Sequence, residues 1–192
     1  MGFLFPKSKN TTRAAVQTAP QPQPEGRQPQ RFLPAEAPLY HALRKSIPII
    51  DAALQKIVRL TVDFTVTAAD SRAQQLLSRF AAEVPVGASS RGLAAFASQY
   101  LDSLLCYGNA VGEMVLDQNR EELLGLYLPP LSHLSFTQGE SPLEAVICTG
   151  EGQNRRPLPC PELILFTALH PAPGQVTGQS LLCGLPAISR VL

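Results

Sequence analysis

The stretch "LLCYGNAVGEMVLD" (residues 104–117) changes hydrophobic period at its centre, and no other feature of the chain constrains the fold as much. Before it, Leu93, Phe96, Tyr100, Leu101, Leu104 and Leu105 recur at the spacing of one helix face. A helix is therefore expected over residues 90–107, with Ser89 or Ser90 able to cap its start. Gly108 then stands where a left-handed glycine ends a helix. From residue 110 the period is two. "AVGEMVLD", "ELLGLYLP", "SHLSFTQ", "PLEAVICTG" and "PELILFTAL" are short apolar runs divided by Asn, Gly, Pro and Asp clusters. That pattern predicts a mainly antiparallel, meander-like sheet. Helices first and strands afterwards make an α+β fold.

Upstream, a helical region is expected over residues 38–61, kinked or restarted at Pro48. Ile50, Leu54, Ile57 and Thr61 fall near one face of its second half. "LTVDFTVTA" follows as a strand or extended link. A further helix opens at "DSRAQQ", where Ser71 and Gln74 have capping-box spacing. Leu76, Leu77, Phe80 and Val84 are its expected buried stripe, and residues 85–87 end it. At the other end of the chain, the loop "HPAPGQVTGQ" leads to an expected last helix over residues 180–192, interrupted by Pro186.

Residues 1–38 have a different composition. They hold seven of the 18 prolines and five Lys/Arg (Lys7, Lys9, Arg13, Arg27, Arg31) against two acids, a net of +3. "QTAPQPQPEGRQPQ" has almost nothing to bury, which predicts a disordered Pro/Gln-rich basic arm with polyproline II bias. It is expected to act as a linker, or as an arm that orders against a neighbouring subunit through Phe3, Leu4 and Phe5. Residues 39–192 are then one folded domain with a net charge of −2, long enough to bury its own core. The whole 192-residue chain carries a net charge of +1, which gives no electrostatic case for general nucleic-acid binding.

The motifs that carry chemistry are missing. Cys106, Cys148, Cys160 and Cys183 form no C-x-x-C pair, so zinc and dithiol readings have no support. Cys106 and Cys148 lie in apolar runs and read as small buried hydrophobes. His41, His133 and His170 have no carboxylate or thiol at ligand spacing. "GQSLL" at 178–182 lacks the second glycine of a nucleophile elbow, and Ser180 reads as a helix cap. "GEGQN" at 150–154 has no lysine after its glycines and is no phosphate loop. Glu121 and Glu122 read as a solvated turn pair. Phe3–Phe5 is too short for a signal-peptide core or a membrane span, and Pro6 breaks the myristoylation pattern after Gly2. No catalytic residue, cofactor or metal ligand is assigned, and the chain is not expected to be an enzyme.

The order of segments carries more. A short "MGFLFPKSK"-type start, "YHALRKSIPIIDAALQKI", the junction "GLAAFASQYLDSLLCYGNAVGEMVLD", the strand pair "LLGLYLPPLSHLSF" and the helix opening "PGQVTGQSLL" together resemble the N-terminal, wing-side half of tailed-bacteriophage portal proteins. Tyr107, Gly108, Asn109 and Ala110 match the family's helix-to-strand signature. Leu128, Pro129 and Pro130 match its turn, and Gly178, Ser180, Leu181 and Leu182 match its later helix opening.

The resemblance implies a structural ring subunit, usually of a dodecamer, at one capsid vertex, serving as head–tail connector. Double-stranded DNA would pass through the ring during packaging and ejection. Terminase large subunit, major capsid protein and head-completion or adaptor proteins would dock to it. It implies location in the virion, and in the host cytoplasm during assembly, with no membrane and no cofactor. The family's clip, stem and channel-lining regions have no counterpart here, so a truncated gene, a prophage remnant or a fragment is expected, and no stable ring from these 192 residues alone. Two other readings stand beside it. One is a non-enzymatic interaction module that binds a partner through the Pro-rich arm; the other is a hydrolase built on Ser180 and His170.

Overall fold

A computed structural model describes residues 30–139, 144–150 and 154–185. Its architecture is α+β, with four helices and two open sheets. The helical region divides into α1 (Ala37–Ser46) and α2 (Pro48–Thr61), with Pro48 opening the second helix. Proline's fixed φ and missing N–H suit that first position, so the chain restarts there instead of kinking. Leu54 and Val58 are the buried residues of α2, and Ile50 and Val62 extend the same stripe. Ile57 and Thr61, expected on that face, are exposed. Residues 63–68 form a link that joins neither sheet, with Phe64 and Val66 exposed.

Helix α3 (Ser71–Glu83) is capped by Asp70, whose carboxylate accepts from Ala73 N at 2.7 Å. Ser71 is not the cap: Asp70, one residue earlier, has the extended backbone that the role requires. Gln74 instead accepts from Ala68 N through Oε1 at 2.6 Å, fastening the link. Leu76 falls outside the stripe and is exposed; Phe80 and Val84 are its inward residues.

The two-residue strands β2 (Pro85–Val86) and β3 (Ser90–Arg91) form a small hairpin before α4 (Leu93–Tyr107). Ser90 is thereby taken into a strand, and Gly92 stands at the N-cap, so neither serine caps α4. Five longer strands follow in the order expected: β4 (Asn109–Leu116), β5 (Leu123–Tyr127), β6 (Leu134–Gln138), β7 (Ala145–Thr149) and, after the short β8 (Arg156–Pro157), β9 (Ile164–Ala168).

They do not make one meander. One sheet runs β3-β2-β5-β4-β9, antiparallel except for the β2–β5 pair, because β9 returns to lie along β4. The other runs β1-β6-β7-β8, antiparallel throughout. Its first strand, β1 (Gln30–Arg31), belongs to the segment expected to be disordered. Phe32 next to it is completely buried against Phe136 and Phe166. Residues 30–38 are part of the fold, and residues 1–29, including Phe3, Leu4 and Phe5, lie outside the described residues.

Helix α4 is central. On one side Phe96, Tyr100 and Leu104 pack with Val84, Val86, Ala110 and Leu126. On another, Leu105 and Cys106 pack with Tyr40, Leu54, Val58 and Leu182. Alternation along β4 sends Ala110 to the helix and Val111 to a third cluster with Phe32, Leu131, Leu134 and Phe136. Arg44 of α1 fastens three helices. It donates to both oxygens of Asp102 on α4 at 2.9 Å and to Asp51 on α2 at 2.8 Å. The Asp102 carboxylate holds the guanidinium charged well above its already high ordinary pKa. Among the described residues no helix is long and apolar enough to cross a membrane.

Candidate functional site

The junction after α4 is the most densely specified part of the molecule. A helix leaves its last four carbonyls without partners in the helix. Here Gly108, left-handed at φ 79°, returns its N–H to Leu104 O at 2.9 Å. The next two carbonyls are met from a distant segment. Leu181 N donates to Leu105 O at 3.0 Å, and the Ser180 hydroxyl donates to Cys106 O at 2.6 Å. The returning chain after β9 thus completes the C-terminus of α4.

Asn109 holds the other side. It is 2% exposed, and its amide is used at both ends: Nδ2 donates to Phe32 O and Oδ1 accepts from Gly178 N, each at 2.9 Å. Its own carbonyl accepts from the Ser103 hydroxyl at 3.0 Å. Leu169 N donates to Gly108 O at 2.8 Å, and Gln179 N to Leu169 O at 2.7 Å. The backbones of Gly108 and Gly178 therefore touch. A Cβ on Gly178 would lie 2.3 Å from Gly108 O and from Leu169 N, and one on Gly108 would lie 2.7 Å from Gly178 O. Both positions need glycine for close approach, and Gly108 needs it for its φ as well.

The structure brings the sequence motifs together. Tyr107–Ala110 and Gly178–Leu182 form one interlocked knot, although some seventy residues separate them. Leu128, Pro129 and Pro130 join Tyr107, Ser103 and Val111 along a groove of about 360 Å³ beside it. Burial pushes the Tyr107 phenol above its ordinary range, and does the same to the Cys106 thiol. Leu182 is buried against Cys106, whereas Leu181 is exposed and contributes its N–H. Cys106 and Cys148 are buried as expected.

The Ser180 Oγ accepts from Leu182 N at 2.9 Å, but what it closes is a turn and not the first turn of the expected helix. Residues 181–184 form a turn, Leu185 begins a helical geometry, and the rest of the expected last helix lies outside the described residues. The hydrolase reading fails on this geometry. The Ser180 hydroxyl is 5% exposed and donates its proton to Cys106 O, and the exposed His170 is not among its partners. Among the described residues no three His, Cys, Asp or Glu side chains stand together as a metal site.

Sequence reasoning missed Phe32, Ser103 and Leu169. Each acts through backbone or a single hydroxyl, which leaves no pattern in a lone sequence. The groove is lined by Leu33, Val111, Leu128 and Leu131 together with the polar Gln99, Ser103, Tyr107 and Ser132.

No family model and no curated protein matches the sequence. Solved structures do match it. A chain in the neck of a native GTA particle computed with C12 symmetry aligns with TM-score 0.60 and 14% identity, over 86% of this chain and 46% of that one. A chain in the neck of an empty GTA particle computed with C6 symmetry aligns with TM-score 0.58 and 14% identity, over 86% and 44%. One in the virion of a native gene transfer agent particle gives TM-score 0.59 and 13% identity, over 84% and 42%. The chain thus spans less than half the length of the proteins it matches, and what it shares with these particle components is their fold.

Proposed function

We propose that this chain is the wing-side part of a portal-type ring subunit: a structural, non-enzymatic component of a tailed-phage-like particle, located at the capsid vertex. The observation that carries the reading is the likeness of 86% of the chain to a neck protein computed with C12 symmetry. The knot adds support. The three segments whose order resembles the portal family meet at one joint, as expected if they are kept for architecture. In that role the α4–β4 joint holds the helical layer rigidly against the sheet, and the subunit meets its neighbours as a stiff body. The ring's copies would surround the path of double-stranded DNA. Terminase, capsid and head-completion or adaptor proteins would dock to surfaces that include parts beyond this fold.

Native mass spectrometry of the protein from its own source, beside a denatured spectrum, tests the reading. The expected outcome is a closed assembly of about a dozen copies, the number that a neck computed with C12 symmetry suggests. A monomer from particles that retain their necks would overturn it.

A further inference from the structure

Two apolar surfaces of this fold are exposed, and their charges are opposite. The first is a second stripe on α2. Leu54 and Val58 face inward, but Ile49, Ala53, Ile57 and Leu60 recur at spacings of four, four and three and so share one face of the helix. Ile49 is 74% and Leu60 73% exposed. Lys56 and Arg59 flank this stripe, while Asp51 of the same helix is engaged by Arg44.

The second surface is the end of the β4–β5 hairpin. Met114, Val115, Leu123 and Leu124 are all exposed there, and because neighbours along a strand face opposite ways the tip presents apolar side chains on both of its sides. The turn between the strands carries Asp117, Glu121 and Glu122. Asp117 accepts from the backbone N–H groups of Glu121 and Glu122, which holds its carboxyl below the usual carboxylate range and keeps it ionised. The turn's one cation, Arg120, donates to the Cys160 sulfur at 3.0 Å.

We infer that these two surfaces are the halves of one head-to-tail interface, the α2 stripe of one copy seated on the β4–β5 hairpin of the next. This rests on the ring reading above and names the surfaces that would build it. Charge argues for the pairing. Stripe against stripe would bring Lys56 and Arg59 of both copies together, and hairpin against hairpin would oppose two acidic turns, whereas stripe against hairpin matches each sign with its opposite. Two unlike, mutually complementary patches form a heterologous contact, which propagates and closes into a ring when its rotation allows.

The test is a charge swap in the full 192-residue chain, read by sedimentation velocity over a concentration series. One variant carries Lys56→Glu with Arg59→Glu, the other Glu121→Lys with Glu122→Lys. All four side chains are exposed, so both variants keep the fold, checked by circular dichroism. Each variant alone should self-associate more than about tenfold more weakly than wild type, because each opposes like charges. Mixed, they should associate as wild type does, since every contact between unlike chains is again complementary.

Association that survives both reversals moves the interface elsewhere and leaves the ring reading standing. Rescue by mixing supports the interface whether or not the assemblies close, since no closed ring is expected of these 192 residues alone. A wild-type chain that stays monomeric overturns the interface.

Discussion

Asn109 shows how much one buried side chain can fix. Its amide bridges Phe32 O and Gly178 N, two backbone groups from opposite ends of the described chain. Asn109→Leu keeps the volume and leaves the buried Phe32 carbonyl and the half-buried Gly178 N–H without partners, a loss of about 3 kcal/mol. The unfolding free energy extrapolated to water should fall by that amount, through a lower denaturant midpoint with little change in slope. Gly178 makes a different demand. Gly178→Ala would force its Cβ between Gly108 O and Leu169 N, both backbone atoms that cannot rotate away. It should cost about 3 kcal/mol. Gly174→Ala supplies the contrast. Gly174 has φ 76° with no atom near its missing Cβ, so only backbone strain of about 1 kcal/mol is expected there. Equal losses at the two glycines would mean that close approach at Gly178 contributes nothing.

Among the elements, the three-helix contact made by Arg44 is the clearest target. Asp102 is 31% exposed and Asp51 45%, so the fork is only half withdrawn from solvent and its worth lies below that of a buried pair. Arg44→Met should cost about 2 kcal/mol, and Arg44→Lys should recover little of it, because a lysine cannot bridge both carboxylates. Combining Arg44→Met with Asp102→Asn should cost less than the two singly, and full additivity would remove the coupling.

Legibility differs at this scale by the range of the interaction. The α4 period and the Gly108 stop were readable because each is decided within a few residues. The choice of Asp70 over Ser71 as cap was not, since both side chains can accept and only backbone geometry separates them. Strand partners were less readable still. Each run looked like a strand, but β9 returning to β4 across four intervening strands made two sheets where local order suggested one meander.

At the scale of the whole molecule, the knot makes the fold depend on its beginning and its last described turn together. Phe32 enters the core from a proline-flanked, two-residue strand with no periodicity to announce it, so composition placed it in the arm. The structure gives it no exposure, two aromatic partners, and the carbonyl that Asn109 Nδ2 requires. Comparing chains that start at residue 30 and at residue 34 isolates this contribution, because residues 1–29 are absent from both. The shorter chain loses β1, leaves a cavity the size of a phenylalanine and strands the Asn109 amide. It should be less stable by at least about 3 kcal/mol. The loss should reach beyond the sheet, since Gly178 and Ser180 are held to α4 through the same joint. Hydrogen exchange at Leu181 N, the donor to Leu105 O, should therefore accelerate in the shorter chain along with the β6 amides. Loss of protection confined to β6 would mean that the two halves of the joint are held independently.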